Sequence, residues 1–227
     1  MTDQKIITHI NDVYQRFKIP SSLQMHHFRV ASVCSLIIDN WKGPKINNKK
    51  IIAAALIHDL GNILKIDFDK KASIKLLGAE AGRISFWKDV QKSIIHHYGH
   101  DPDNATAAMI KKIKVNSALY EMIYNSHNHK YVKDAKNIEL KIVVYADFRV
   151  APNGIVNIDT RANDFLKRTA RIHKQEMKDV RIFVKKTTAI AKEIEKQLFN
   201  DLNFLPNQIN NSSIVPYLGK YKAVKIV

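Results

Sequence analysis

The segment Ile51 to Leu60, IIAAALIHDL, is apolar on every side of a helix until it reaches His58 and Asp59. A helix with no polar face is buried against neighbours all round. The run therefore predicts a central helix of a layered protein, closed by Gly61 as a left-handed terminator. It also carries an ionisable doublet into that interior. An ionised carboxylate buried alone is strongly unfavourable, and no Lys or Arg lies within the run. Asp59 thus requires a proton, or a cation supplied from another part of the chain.

The rest of the pattern is helical. Gly and Pro number 7 and 6 in 227 residues, below the ~7% and ~5% usual in globular chains, which disfavours turn-rich sandwiches and barrels. Ile6, Ile7, Ile10, Val13, Tyr14 and Phe17 fall at helical spacing up to Ile19-Pro20, where proline excludes its predecessor from the helix. Ser21 or Ser22 is the expected cap of a second helix with Leu23, His26, Val30, Val33 and Ile37 on one stripe, ending before Gly43-Pro44. Residues 66–98 read as one or two helices, and Asp101-Pro102 as the start of another. Helices over about 103–115 and 117–127 precede a polar loop, NHKYVKDAKN. From Ile138 to Val150, Leu140, Val143, Val144 and Asp147 share one face, so a second carboxylate stands where a leucine is expected. Beyond the break at Pro152-Asn153-Gly154, residues 160–200 form one or two long amphipathic helices. After Pro206, the alternation of Ile214, Val215, Tyr217 and Leu218 reads as extended. The organisation expected is all-α: one helical domain over 1–200 and an extended tail over 201–227.

Charge and cysteine content narrow the function. The chain carries 37 Lys+Arg against 21 Asp+Glu, a net charge of +16, which favours anionic partners. Cys34 is the single cysteine, so any metal must be held by His and carboxylate. No apolar run approaches the ~20 residues of a membrane span, and the opening MTDQKIITHI lacks a basic-then-apolar export signal. A cytoplasmic location is expected. His26, His58, Asp59 and Asp147, brought together from three helices, make a nitrogen and oxygen ligand set with open positions, suited to Mn, Fe, Zn, Ni or Mg.

These residues resemble a known family. His26 in HHFRVA, the doublet in LIHDLGN and Asp147 in VVYADFRVAP are similar to the His, His-Asp and distal Asp of the HD-domain metal-dependent phosphohydrolases, over about residues 20 to 165. The resemblance favours His26 over His27. It implies an HD-like helical bundle and hydrolysis of a phosphoester or phosphoanhydride bond by a metal-activated hydroxide, on a small nucleotide-like substrate. Members with two ions add two histidines; His100 and His127 are the best matches, ahead of His96, His97 and His129, and the spacing looks closest to the diadenosine tetraphosphate hydrolase branch. Asp59 would then bridge the two ions. Many relatives place Lys directly after the glycine of the doublet motif; here Asn62 stands there and Lys65 follows one turn later. Lys65, Arg149 and Arg161 are the expected phosphate contacts, with Lys65 and Arg149 assisting His58 and Asp59 in catalysis. The Gly-Tyr-Pro signature of cyclic dinucleotide phosphodiesterases is absent. Two other readings are a mononuclear HD-type nucleotidase, and a non-enzymatic nucleic-acid-binding protein using Arg161, Lys167, Arg168, Arg171, Lys174 and Lys178. An oligomer is compatible with either.

Overall fold

Eight residues after its apolar helix begins, the chain has already reached the centre of the molecule. The computed structural model describes residues 9–172 and 177–226; Ile6, Ile7 and Lys174 lie outside them, as does the side chain of Arg171. Helices α1 (Ile10–Arg16), α2 (Ser21–Asp39) and α3 (Asn48–Ile57) are followed by a 3-10 segment, Leu60–Lys65. Next come α4 (Lys71–Ile74), a second 3-10 segment (Lys75–Arg83), α5 (Ile84–Tyr98), α6 (Pro102–Lys112), α7 (Ser117–Ser126), α8 (His129–Asp134) and α9 (Ile138–Phe148). A two-stranded hairpin, β1 (Val150–Ala151) and β2 (Gly154–Ile155), pairs Val150 with Ile155. It leads to α10 (Ile158–Ile172), α11 (Met177–Phe199) and α12 (Asn211–Leu218). The protein is all-α apart from this hairpin among the described residues. Helix α3 packs against α2, α7 and α9, and Ile51 and Ala53 through Leu60 are all buried.

Asparagine and aspartate punctuate the bundle. The side chains of Asn47, Asn116, Asn128 and Asn137 each accept a backbone N–H at the start of a helix, and Asp101 does so at α6. The cap at Asn128 turns part of the expected polar loop into α8, whose Val132 is buried. Serine does not cap α2. Instead Glu80, from a distant segment, accepts from the Ser21 N–H at 2.6 Å and its hydroxyl at 2.8 Å, placing a carboxylate at the positive end of the helix.

The C-terminal tail is not extended where alternation pointed to it. Asn210 accepts from the N–H groups of Ser212 and Ser213 while the Ser213 hydroxyl accepts from the Asn210 N–H, a capping box that starts α12. Ile214, Tyr217 and Leu218 satisfy the i, i+3, i+4 spacing of a helix face as well as a strand's alternation, and the cap decides between them. Ile214 is buried, α12 packs on α2, and Tyr221 and Ile226 join the core.

A further correction concerns Gly61. Helix α3 ends at Ile57, and Gly61 lies inside the following 3-10 turn with no positive φ. Its requirement is space. A Cβ there would sit 2.3 Å from the Pro102 carbonyl oxygen and 3.0 Å from the Thr106 hydroxyl. The Gly61 N–H donates to Thr106 Oγ1 at 2.9 Å, and that hydroxyl donates to the Pro102 carbonyl at 2.8 Å. The turn after the His-Asp doublet is thereby fastened to the first turn of α6. Gly61→Ala should cost about 1–3 kcal/mol through forced displacement, read as a lowered Tm; an unchanged Tm would mean the turn relaxes freely.

Candidate metal centre

Three helices converge on the doublet. His26 comes from the second turn of α2, His58 and Asp59 from the end of α3, and Asp147 from the last turn of α9. Each of the four offers a ligand atom, and these atoms all lie within 4.8 Å of one another. His26 Nε2 is 3.0 Å from Asp147 Oδ1 and 4.0 Å from Asp59 Oδ2; His58 Nε2 is 3.5 Å from Asp59 Oδ2 and 3.6 Å from Asp147 Oδ1.

The orientation of these groups is set from behind. His58 Nδ1 donates to the Ala55 carbonyl at 3.0 Å, one turn back in α3, which directs Nε2 into the cluster. His58 Nε2 and Asp147 Oδ1 are both shielded from solvent without a hydrogen-bond partner. Such orphaned atoms, two of nitrogen and oxygen type facing each other, fit a cation between them. The Asn62 amide donates to Asp59 Oδ2 and fixes that carboxylate in the same turn. The residue that stands where relatives carry lysine is therefore a positioning group for Asp59, a role legible only from its three-residue spacing.

Burial alone would raise both carboxylates. Against it, His58, Lys65 and His26 hold Asp59 down at about 2, and His26 and His58 hold Asp147 well below the usual carboxylate range. Burial would equally lower His58, but Asp59 and Asp147 outweigh it and raise the imidazole to about 9. The metal-free cluster is thus an ionic one in which His58 supplies the positive charge. His27, the neighbour in sequence, turns the other way: it is fully buried, its Nδ1 lies 3.1 Å from the Tyr14 hydroxyl, and burial holds its pKa well below the ordinary value.

A family model described as HD domain matches residues 24–148, from α2 to the end of α9, and takes in all four residues. The chain belongs to the HD-domain family. No curated protein and no solved structure gives a significant match. HD-domain proteins are generally metal-dependent hydrolases, and the histidine and aspartate cluster of this HD domain, His58 and Asp59 buried and His26 and Asp147 half-buried, is compatible with a divalent ion.

The other residues singled out from the sequence fall into distinct places around the HD centre. His100 is exposed: Gly99, at φ +85°, turns the chain after α5 and leaves His100 on the surface before the Asp101 cap. His96 and His97 are exposed on α5. His127 is half-buried, with Nδ1 3.4 Å from Asp103 Oδ1 and Nε2 buried without a partner. His129 packs on Phe148, next to Asp147 in sequence; burial lowers its pKa, with the charges of Asp147, Asp103 and Asp59 acting against that. Asp103 and His129 are thus brought towards the centre although sequence reasoning passed over the first and ranked the second low. Lys65 is exposed, close enough for its charge to act on Asp59. Burial lowers the Arg161 guanidinium, while Asp147 and Asp59 offset that effect. Arg161 and Arg168 share Asp164, at 3.6 and 2.8 Å.

Arg149 is a correction. It is 2% exposed, and it donates to the Val156 carbonyl at 2.6 Å, the Tyr145 hydroxyl at 2.5 Å and the Ile209 carbonyl at 2.9 Å, with Glu195 at 3.7 Å. One helical turn holds Asp147 and Arg149, but two residues of separation turn them away from each other, so the guanidinium is committed to the core. Arg149→Ala should lower the unfolding free energy by about 3–5 kcal/mol, as expected when one partner of a buried charged network is removed. Arg161→Ala, which removes a partly buried pair with Asp164, should cost less; equal losses in denaturant titrations would place both arginines in the same role.

The raised His58 pKa gives the metal-free protein a pH signature. Its unfolded value is near 6.5 and its folded value about 9, so the stability it contributes is complete below the first and lost as pH rises through the second. A metal ligand must be neutral. Metal binding at pH 7 should therefore release about one proton per chain, and affinity should climb with pH until His58 is deprotonated. Calorimetry in buffers of differing ionisation enthalpy measures this; no proton release at pH 7 would mean His58 is neutral beforehand or does not bind the ion.

Proposed function

We propose that this HD domain is a metal-dependent phosphohydrolase acting on a nucleotide-like phosphoester or phosphoanhydride in the cytoplasm. The observation that carries the reading is the four-residue cluster, with His58 Nε2 directed into it and Asp147 Oδ1 shielded from solvent beside it. His26, His58, Asp59 and Asp147 would hold one divalent ion, of the Fe, Mn, Zn, Ni or Mg class. Bound there, the ion would polarise water and a phosphoryl oxygen.

A second ion would draw on His127 and His129 rather than His100. Asp103 stands behind His127 Nδ1, the arrangement by which a carboxylate orients an imidazole and leaves its other nitrogen for a metal. His129 supports the same side of the centre through its proximity to Asp147 and Asp59. Asp59, between the two groups, would be the shared ligand. Lys65 at the rim and Arg161 on α10 are placed to offset charge on nonbridging phosphoryl oxygens, since phosphoryl transfer is mainly positioning and electrostatics.

The test is elemental analysis beside turnover on a panel of nucleoside phosphates and dinucleoside polyphosphates. Asp147→Asn should abolish metal binding and activity together. His127→Ala should leave one ion per chain and reduce kcat by on the order of 100-fold or more, comparable with the loss of one strong transition-state contact. His100→Ala should change neither quantity. A fully metal-loaded wild type that hydrolyses no member of the panel would overturn the reading, and one ion in a fully active wild type would overturn the dinuclear form of it.

A further inference from the structure

A cleft of about 600 Å³ has His127 and His129 in its lining, and His129 packs on Phe148, the residue that follows Asp147. Its outer walls come from separate elements. Tyr124, near the end of α7, and Phe183, on α11, are 59% and 53% exposed and both line the cleft. Neither exposure is required by packing. The core face of α11 is Val184, Ala191, Ile194 and Leu198, whereas Phe183, Lys186, Thr187 and Ile190 form an adjacent stripe at i, i+3, i+4 and i+7 that lines the cleft. Tyr124 is held in place by stacking on Tyr120, with ring centroids 6.0 Å apart and planes 16° from parallel. Lys130 and Lys186 add positive charge to the same walls, and the two carboxylates that also line them are engaged, Asp101 as the cap of α6 and Asp103 against His127.

Single exposed aromatics are ordinary on a protein surface. Two from different helices, lining one cleft together with two lysines and two imidazoles, suit a flat, apolar group joined to an anion. The volume lies within the ~300–1,000 Å³ of small-molecule sites. We propose that this cleft is the specificity pocket of the HD centre: Tyr124 and Phe183 take the nucleobase by stacking, Lys130 and Lys186 balance phosphate charge, and the scissile bond reaches the HD residues past His127 and His129. The proposal rests on the phosphohydrolase reading for the catalytic step, but base binding in the cleft can be measured without it.

The experiment is calorimetric titration of the full-length protein with adenosine 5′-monophosphate and guanosine 5′-monophosphate, using ribose 5-phosphate as the base-free control. Wild type, Tyr124→Ala, Phe183→Ala and Phe183→Trp are compared. Either alanine variant should weaken nucleotide binding by about tenfold, the loss of one base-aromatic stack, while ribose 5-phosphate affinity stays unchanged and Phe183→Trp retains binding. In turnover on a nucleotide substrate the two alanine variants should raise KM with kcat within about threefold. Equal wild-type affinity for nucleotide and ribose 5-phosphate, or nucleotide affinity intact in both alanine variants, would overturn the proposal. A Phe183→Ala protein that changes only its sedimentation, with nucleotide affinity unaltered, would overturn it in favour of a self-association surface. Absence of hydrolysis with base-dependent binding preserved would instead fail the phosphohydrolase reading.

Discussion

Asp59 is a buried carboxylate and Asp147 a half-buried one beside it, and their mutual repulsion has to be offset for the three central helices to close. In the metal-free protein His58 carries that positive charge, with His26 beside Asp147 and the Asn62 amide on Asp59. The surrounding apolar packing of α2, α3 and α9 supplies rigidity but no countercharge. A divalent ion held in place of the His58 proton would supply that countercharge in full, so the constraint met by the fold is one that the proposed chemistry would share.

Arg149 shows how a similar burial serves a different end. Its guanidinium joins the end of α9 to the chain leading into α10, to Glu195 of α11 through Tyr145, and to the backbone at Ile209 ahead of α12. A cation two residues from a site aspartate attracts a substrate-binding interpretation. Its hydrogen bonds, all to this protein's own groups, identify it as the tie that brings the C-terminal segment onto the HD bundle.

The all-apolar helix and the carboxylates at Asp59 and Asp147 were legible in the sequence because burial of charge leaves few alternatives, and the structure brings both carboxylates together with His26 and His58. Less legible were contacts between distant segments. Glu80 at the start of α2, the Thr106 contact to Gly61 and the Asp103 partner of His127 depend on how α2, α6 and α7 pack, which spacing along the chain does not encode. His100 shows the opposite case: the residues around it fit a familiar pattern, and the structure has it exposed after the turn at Gly99. In α12, helix and strand periodicities both fit a few apolar residues, and the Asn210 cap resolves them.

The first turn of α6 touches both groups of histidines. Pro102 and Thr106 grip the turn that follows His58 and Asp59, and Asp103, between them, stands against His127. In the dinuclear form of the proposed centre, this stretch of helix, with a rise of about 1.5 Å per residue, would act as a fixed baseline between the two groups of ligands. Their separation would then be gauged by backbone geometry, leaving the imidazole and carboxylate side chains to make only the small adjustments that ions of different radius demand.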